Sequence, residues 1–172
     1  LTGFGGTSFQ DCGIKSIEIG GGLQSTGNNF YHAKKLESVV LHEGVKTIGF
    51  DCFTDCTALT NLVIASTVTS IANGSMYRMG DAELHVWWKG VLPEGGVSTD
   101  KTLITSKYPA VHHFDIANKE GWIAYAATLA NPDVTLTIPP KDNSLSEGTW
   151  GWKGNQKVVW FGFPAATQII IW

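Results

Sequence analysis

The chain has 172 residues, a formal net charge of −3, and 43% hydrophobic against 16% charged residues, so it can bury a sizeable core and is not composed like a disordered tail. It carries 12 Lys and Arg, with no basic run and no alternation of basic with aromatic residues; nucleic acid is therefore not an expected partner, since phosphate binding needs a concentrated positive surface. The longest apolar runs fall well short of the roughly 20 residues that cross a bilayer as a helix, so no membrane span is expected.

Three stretches superimpose on one another: Ile14-x-x-Ile17-x-Ile19, Leu36-x-x-Val39-x-Leu41 and Leu59-x-x-Leu62-x-Ile64, spaced 22 and then 23 residues apart. Each continues alike, with Leu23/Thr26, Val45/Ile48 or Val68/Ile71, then Phe30, Phe53 or Met76. One unit cannot bury these side chains, whereas stacked units form a continuous apolar column, so the period predicts a solenoid of parallel strands. A fourth strand is expected at Leu84-x-Val86, 22 residues beyond Leu62-x-Ile64, which puts Ile17, Val39, Leu62 and Leu84 in one buried row. On the same template Leu1 and Phe4 fall where Val45 and Ile48 fall, and Phe9-x-x-Cys12 where Phe53-x-x-Cys56 falls. The chain thus reads as starting in mid-repeat, a fragment of a longer protein with upstream repeats or a stacking neighbour expected at that end.

The unit from Leu36 to Leu59, with Val45-Lys46-Thr47-Ile48-Gly49 and then Phe53-Thr54-Asp55-Cys56, resembles the BspA-type leucine-rich repeats of bacterial surface proteins. The other copies depart from that pattern: Thr26 stands for the Ile, Ala72 for the Gly, and Ala33 and Met79 for the Cys. The resemblance covers about residues 1–88. It implies an α/β fold, a leucine-rich-repeat solenoid with short helical or irregular convex segments, on a cell-surface or secreted protein. It implies little about chemistry, because such solenoids present surfaces instead of sharing one active site.

From about Lys89 the character changes. All seven tryptophans lie after residue 86, the period stops, and Pro93-Glu94-Gly95-Gly96 reads as a loop. Strands are expected at Thr102–Thr105, Val111–Ile116, Val134–Ile138, Val158–Phe161 and Gln168–Trp172. One helix is expected over Lys119–Leu129, capped by Asn118, with Trp122, Tyr125, Ala126 and Leu129 on one face. Phe114–Ile116 followed by Ala124-Tyr125-Ala126-Ala127 is similar to the closing segment that often follows these bacterial repeats, with Ile116-Ala117 in place of its usual Val-Pro; that likeness implies a cap over the last repeat. The chain thus divides into a repeat region at 1–88, a capping region with one helix at 89–139, and a β-rich C-terminal segment at 140–172, where Trp152-Lys153-Gly154 echoes Trp88-Lys89-Gly90.

Catalytic constellations are lacking, and an enzyme is not expected. His112-His113 with Asp115 comes nearest to a metal site, but neighbours on a strand point to opposite faces, so at most one His converges with Asp115. Gly20-Gly21-Gly22 lacks the Lys-Ser/Thr of a phosphate loop and reads as a turn. No Gly-x-Ser-x-Gly elbow occurs, and Asn73-Gly74-Ser75 is a glycosylation sequon in form only. Cys12 and Cys56 share a repeat column two strand spacings apart, beyond the reach of a disulfide, while Cys52 and Cys56 stand four apart, as on a helical turn; the three cysteines read as small buried apolar residues. No metal, cofactor or redox chemistry is expected.

Strand alternation defines an outward face. It predicts two lateral rows, Glu18, Val40, Val63, His85 and Gly20, His42, Ala65, Trp87. Val40, Val63 and Trp87 make this face unusually apolar, which implies either an outside partner or coverage by the C-terminal region. Candidate binding residues are Val40, His42, Val63, His85 and Trp87. Two functions fit: a non-enzymatic recognition or adhesion module holding a protein or glycan, with Trp87 stacking on sugar C–H surface and imidazoles meeting hydroxyls, or a structural component of a larger fibre or phage-type appendage.

Overall fold

The structure, a computed structural model, describes residues 6–93, 95–96, 109–128 and 156–161. Its strands are β1 (Ser16–Ile19), β2 (Ser38–Leu41), β3 (Thr47–Ile48), β4 (Asn61–Ile64), β5 (Ser70–Ile71), β6 (Leu84–Trp88), β7 (Ala110–Asp115) and β8 (Gln156–Phe161), with one helix, α1 (Lys119–Thr128), entered through a 3-10 turn at Ile116–Asn118. Among the described residues β1, β2, β4, β6, β7 and β8 form one sheet in that order, every pair parallel. This is the expected solenoid sheet, one strand per repeat, and it continues past the repeats.

Alternation sets the inner face. Ile17, Val39, Leu62, Val86, His112 and Val158 are paired in register, and Val39, Leu62, Val86 and His112 have no exposed surface. The next inward row runs through Ile64, Trp88, Phe114 and Trp160. One expectation needs correction: Leu62 pairs with Val86, not Leu84, so the buried row of the fourth strand passes through Val86. Seven positions separate Met79 from Val86, against six from Cys56 to Leu62, and the added residue shifts the strand. Leu84 is also inward and buried, which is why the sequence tolerated either alignment.

On the second side of the coil, β3 pairs with β5, and Ser25 bridges to Thr47. Thr26, which stands for an Ile, is fully buried, and its hydroxyl accepts a hydrogen bond from the Gly49 N–H at 3.0 Å, so the polar substitution is satisfied in the core. A Cβ on Gly49 would overlap the Gly27 backbone, which explains the glycine after Val-x-x-Ile: two coils approach too closely there for any side chain.

The third side is built from turns, the irregular form of convex segment among those expected, and Cys52 and Cys56 lie on turns and not on a helix. Phe9, Phe30 and Phe53 stack along the axis at 5.2 and 5.7 Å. Two residues after each, Asp11, His32 and Asp55 take left-handed backbone angles (φ 53, 59 and 60°), as does Arg78 (φ 52°), two after Met76. Asp suits this region because its short side chain bonds locally. These side chains also form a ladder, with His32 Nε2 2.7 Å from an Asp55 oxygen and Arg78 paired to the same carboxylate.

The thiols are free, with Cys52 and Cys56 buried and Cys12 partly exposed. Burial pushes the Cys56 thiol up to about 12 and the Cys52 thiol well above its ordinary value, while the Cys56 thiol donates to the Phe30 carbonyl at 3.0 Å. Thiolate is the reactive form. Native protein treated with iodoacetamide should therefore be labelled at Cys12 alone, with Cys52 and Cys56 reacting only in denaturant; mass spectrometry of the peptides checks this.

Beyond the repeats, the strands expected at Val111–Ile116 and Val158–Phe161 appear as β7 and β8, in the same sheet as the repeat strands. The helix appears with Trp122 and Tyr125 buried. Asp115 caps the 3-10 turn by accepting from the Ala117 N–H at 2.9 Å, whereas the side chain of Asn118, the expected cap, donates to the Lys89 carbonyl at 3.1 Å. Leu1, Phe4, Leu129, the expected strands at Thr102–Thr105, Val134–Ile138 and Gln168–Trp172, and Trp152-Lys153-Gly154 lie outside the described residues.

Candidate functional site

The outward face follows from the same register, and the shift of β6 rearranges it. Glu18, Val40, Val63, Trp87, His113 and Val159 form one row across all six strands. Ser16, Ser38, Asn61, His85 and Val111 form the row beside it. Trp87 therefore stands next to Val63, where His85 had been expected, and His85 falls beside Asn61. The row expected through Gly20, His42, Ala65 and Trp87 is not formed. Ala65 is buried at the turn that leaves β4, and Lys89 lies in the bend just past the end of β6.

Val40, Val63, Trp87, His113, Val159 and Phe161 are each half-buried, as expected of side chains standing side by side on an open parallel sheet. β7 and β8 join the sheet edge to edge and extend this face instead of lying across it. At β7 the outer side is more enclosed, and Val111 is buried.

Trp87 is the centre of a built cluster. The His113 ring lies on it at 3.7 Å and 8°, and Phe161 meets it edge-on at 5.5 Å. Its Nε1–H donates to Asn61 Oδ1 at 3.1 Å, and the Asn61 amide in turn donates to Ser38 Oγ at 2.9 Å. His85 Nδ1 and His113 Nε2 are 2.9 Å apart, so a single proton is shared between the two rings. His42, one of the expected site residues, sits apart, two strands from Trp87, with its Nε2 2.8 Å from a Glu18 oxygen. The structure thus brings His85 and Trp87 together with Val63, keeps Val40 on the same row, and separates His42.

His113, Phe161 and Asn61 were not among the expected binding residues. The signal for His113 was present, since alternation through His112, His113 and Phe114 puts His113 outward. What the sequence did not show is that this strand pairs with β6. His112 is fully buried and Nδ1 accepts from the Trp88 indole at 3.0 Å, so the two adjacent histidines do face opposite ways. Among the described residues no three His, Cys, Asp or Glu side chains are grouped as a metal ion would require.

Burial, and then the charge of His85, hold the His113 imidazole down at about 4, with the Glu83 carboxylate opposing. The fold favours the neutral ring, so the unfolded chain gains a proton first as pH falls. Stability should be full above about pH 6.5 and decline toward pH 4, by about 1–2 kcal/mol once the solvent screening of a half-exposed ring is allowed for. Urea melts at several pH values, compared with His113→Gln, check this: the variant should lose that part of the pH dependence, and an unchanged slope would contradict it.

A family model described as a BspA type leucine rich repeat region matches residues 1–85 in six copies. No curated protein and no solved structure matches the chain.

Proposed function

Because residues 1–85 are a BspA-type leucine-rich repeat region, we propose that the chain is a non-enzymatic recognition or adhesion module of a bacterial surface or secreted protein, holding a protein or glycan on the outward face of its sheet. Repeat regions of this family are typically non-enzymatic and surface-exposed or secreted, which supports the setting. Among the described residues no helix is long and apolar enough to cross a membrane. The observation that carries the reading is the apolar row Val40, Val63 and Trp87, continued by His113 and Val159. A solvated sheet face is ordinarily polar, and a continuous apolar strip on it calls for a partner.

The test is binding to a glycan array and to a panel of purified extracellular-matrix proteins, with Val63→Lys and Trp87→Ala as the variants. Both should weaken binding at least about tenfold; the melting temperature should move little in Val63→Lys and modestly in Trp87→Ala, which loses the His113 and Phe161 contacts of a half-buried ring. Binding indifferent to both changes would overturn the reading. So would a loss of about 3–5 kcal/mol of stability in Trp87→Ala, the cost of removing an internal aromatic.

A further inference from the structure

We propose that the ligand of this face is an uncharged oligosaccharide, laid across the strands with its ring C–H surfaces on Val40, Val63 and Trp87 and its hydroxyls along Ser38, Asn61 and His85. The proposal rests on the sheet-face reading above and commits it to one chemistry.

The Trp87 indole is a wall with a ring stacked on one side: among the described residues His113 alone lies flat on it. His113 covers the face toward β7 at 3.7 Å, so the opposite face is turned toward β4, where Val63 is its register partner. The ring is held in that attitude by the hydrogen bond from Nε1 to Asn61 and by the edge contact with Phe161. A fixed aromatic plane loses little side-chain entropy when a sugar stacks on it, which is the condition under which one ring gives useful affinity. Val63 and Val40 form the floor in front of the wall.

Size separates a sugar from a protein partner. Neighbouring strands lie about 4.8 Å apart, so the row from Val40 to Trp87 is roughly 10 Å long. Each step is close to the length of one hexose unit. A stable protein interface buries about 800 Å² on each partner, whereas the strip from Val40 to Trp87 with the polar row beside it supplies on the order of a quarter of that, so a protein partner would also need the continuation through His113 and Val159.

The adjoining row supplies matching polarity. Ser38, Asn61 and His85 stand one outward position along each strand, about 7 Å away, carrying a hydroxyl, an amide and an imidazole. They are already ordered, because Asn61 bridges Ser38 and Trp87 while His85 is tied to His113. The Ser38 hydroxyl still has its proton to donate, and His85 keeps Nε2, 3.6 Å from a Glu83 oxygen. An apolar strip beside a strip of uncharged hydrogen-bonding groups is the complement of a pyranose chain lying on one face. Charge favours a neutral sugar: none of these six residues is Lys or Arg, and the carboxylates of Glu18 and Glu83 stand beside Val40 and His85, against the exposed Lys89 two residues past Trp87.

The experiment titrates the whole chain with hexaoses of glucose (α- and β-linked), mannose and N-acetylglucosamine, and with polygalacturonate as the acidic probe. Calorimetry and tryptophan fluorescence are the readouts, with Trp87→Phe assigning the fluorescence change among the seven tryptophans. At least one neutral hexaose should saturate the protein, bind more tightly than its monosaccharide, and lose about tenfold or more in affinity with Val63→Lys and severalfold with Ser38→Ala. Absence of saturation by any neutral hexaose at millimolar concentration, saturation by polygalacturonate alone, or affinity unaltered by Val63→Lys would each overturn the proposal. A purified protein ligand that Val63→Lys releases while no hexaose binds would sink the oligosaccharide and leave the sheet-face reading standing.

Discussion

Leu62→Asp is expected to unfold the repeat stack. Leu62 has no exposed surface and lies in register between Val39 and Val86, which are equally enclosed. A carboxylate placed there meets only apolar neighbours, and an unpaired buried charge costs several kcal/mol even after its pKa rises to neutralise it. Against a total stability of about 5–15 kcal/mol, a loss of about 4 kcal/mol or more leaves little folded protein at 37 °C. Circular-dichroism melts check this against Val63→Asp, one residue on and outward, which should cost under about 1 kcal/mol. Equal losses in the two variants would refute the assignment of inner and outer rows.

Trp122→Ala should destabilise the sheet as well as the helix that carries the residue. Trp122 is fully buried, lies flat on Phe114 of β7 at 3.8 Å and 3°, and meets Trp88 of β6 edge-on at 5.5 Å. Removing a buried tryptophan costs about 3–5 kcal/mol, because the surrounding rings cannot collapse into so large a void. The loss should appear as one earlier transition in both far-UV and near-UV circular dichroism, since the helix and the last repeat strand share the same aromatic cluster. Ile123→Ala, at an exposed position on the same helix, should shift the melt little. A separate low-temperature helix transition in Trp122→Ala would show instead that α1 is an independent cap.

The aromatic cluster also shows where sequence reading stopped. Inward residues change from Ile19, Leu41 and Ile64 to Trp88, Phe114 and Trp160 along the sheet, and α1 closes the core with Trp122 and Tyr125. The helix and its buried face were legible from the spacing of Trp122 and Tyr125 after Asn118. Its packing against Phe114 was not, since no local pattern states which rings will stack. The turn-side ladder of His32, Asp55 and Arg78 was hidden for a related reason: these residues are unlike one another, and only their common left-handed backbone marks them as equivalent.

The candidate face was half legible. Val40, Val63 and Trp87 were recognised as outward because alternation needs only the strand itself. Glu18, Val40 and Val63 stand in the row expected, but the neighbours of Trp87 and His85 were assigned wrongly, because neighbours depend on register. Leu84, Val86 and Trp88 all point inward, so sliding β6 by two residues keeps these three side chains facing the core. Only the parallel pairing of Leu62 with Val86 chose between the alignments, and with it moved Trp87 beside Val63.

By itself, then, the sequence determined the repeat, its parallel strands, the inward face of each strand and the position of the helix, because period and alternation are properties of the local chain. The tertiary structure alone decided that β7 and β8, 26 and then 46 residues further on in register, extend the same sheet. That step put His113 on Trp87 and Phe161 at its edge. Backbone hydrogen bonding between strands is indifferent to the length of chain that joins them, so no period in the sequence announced it.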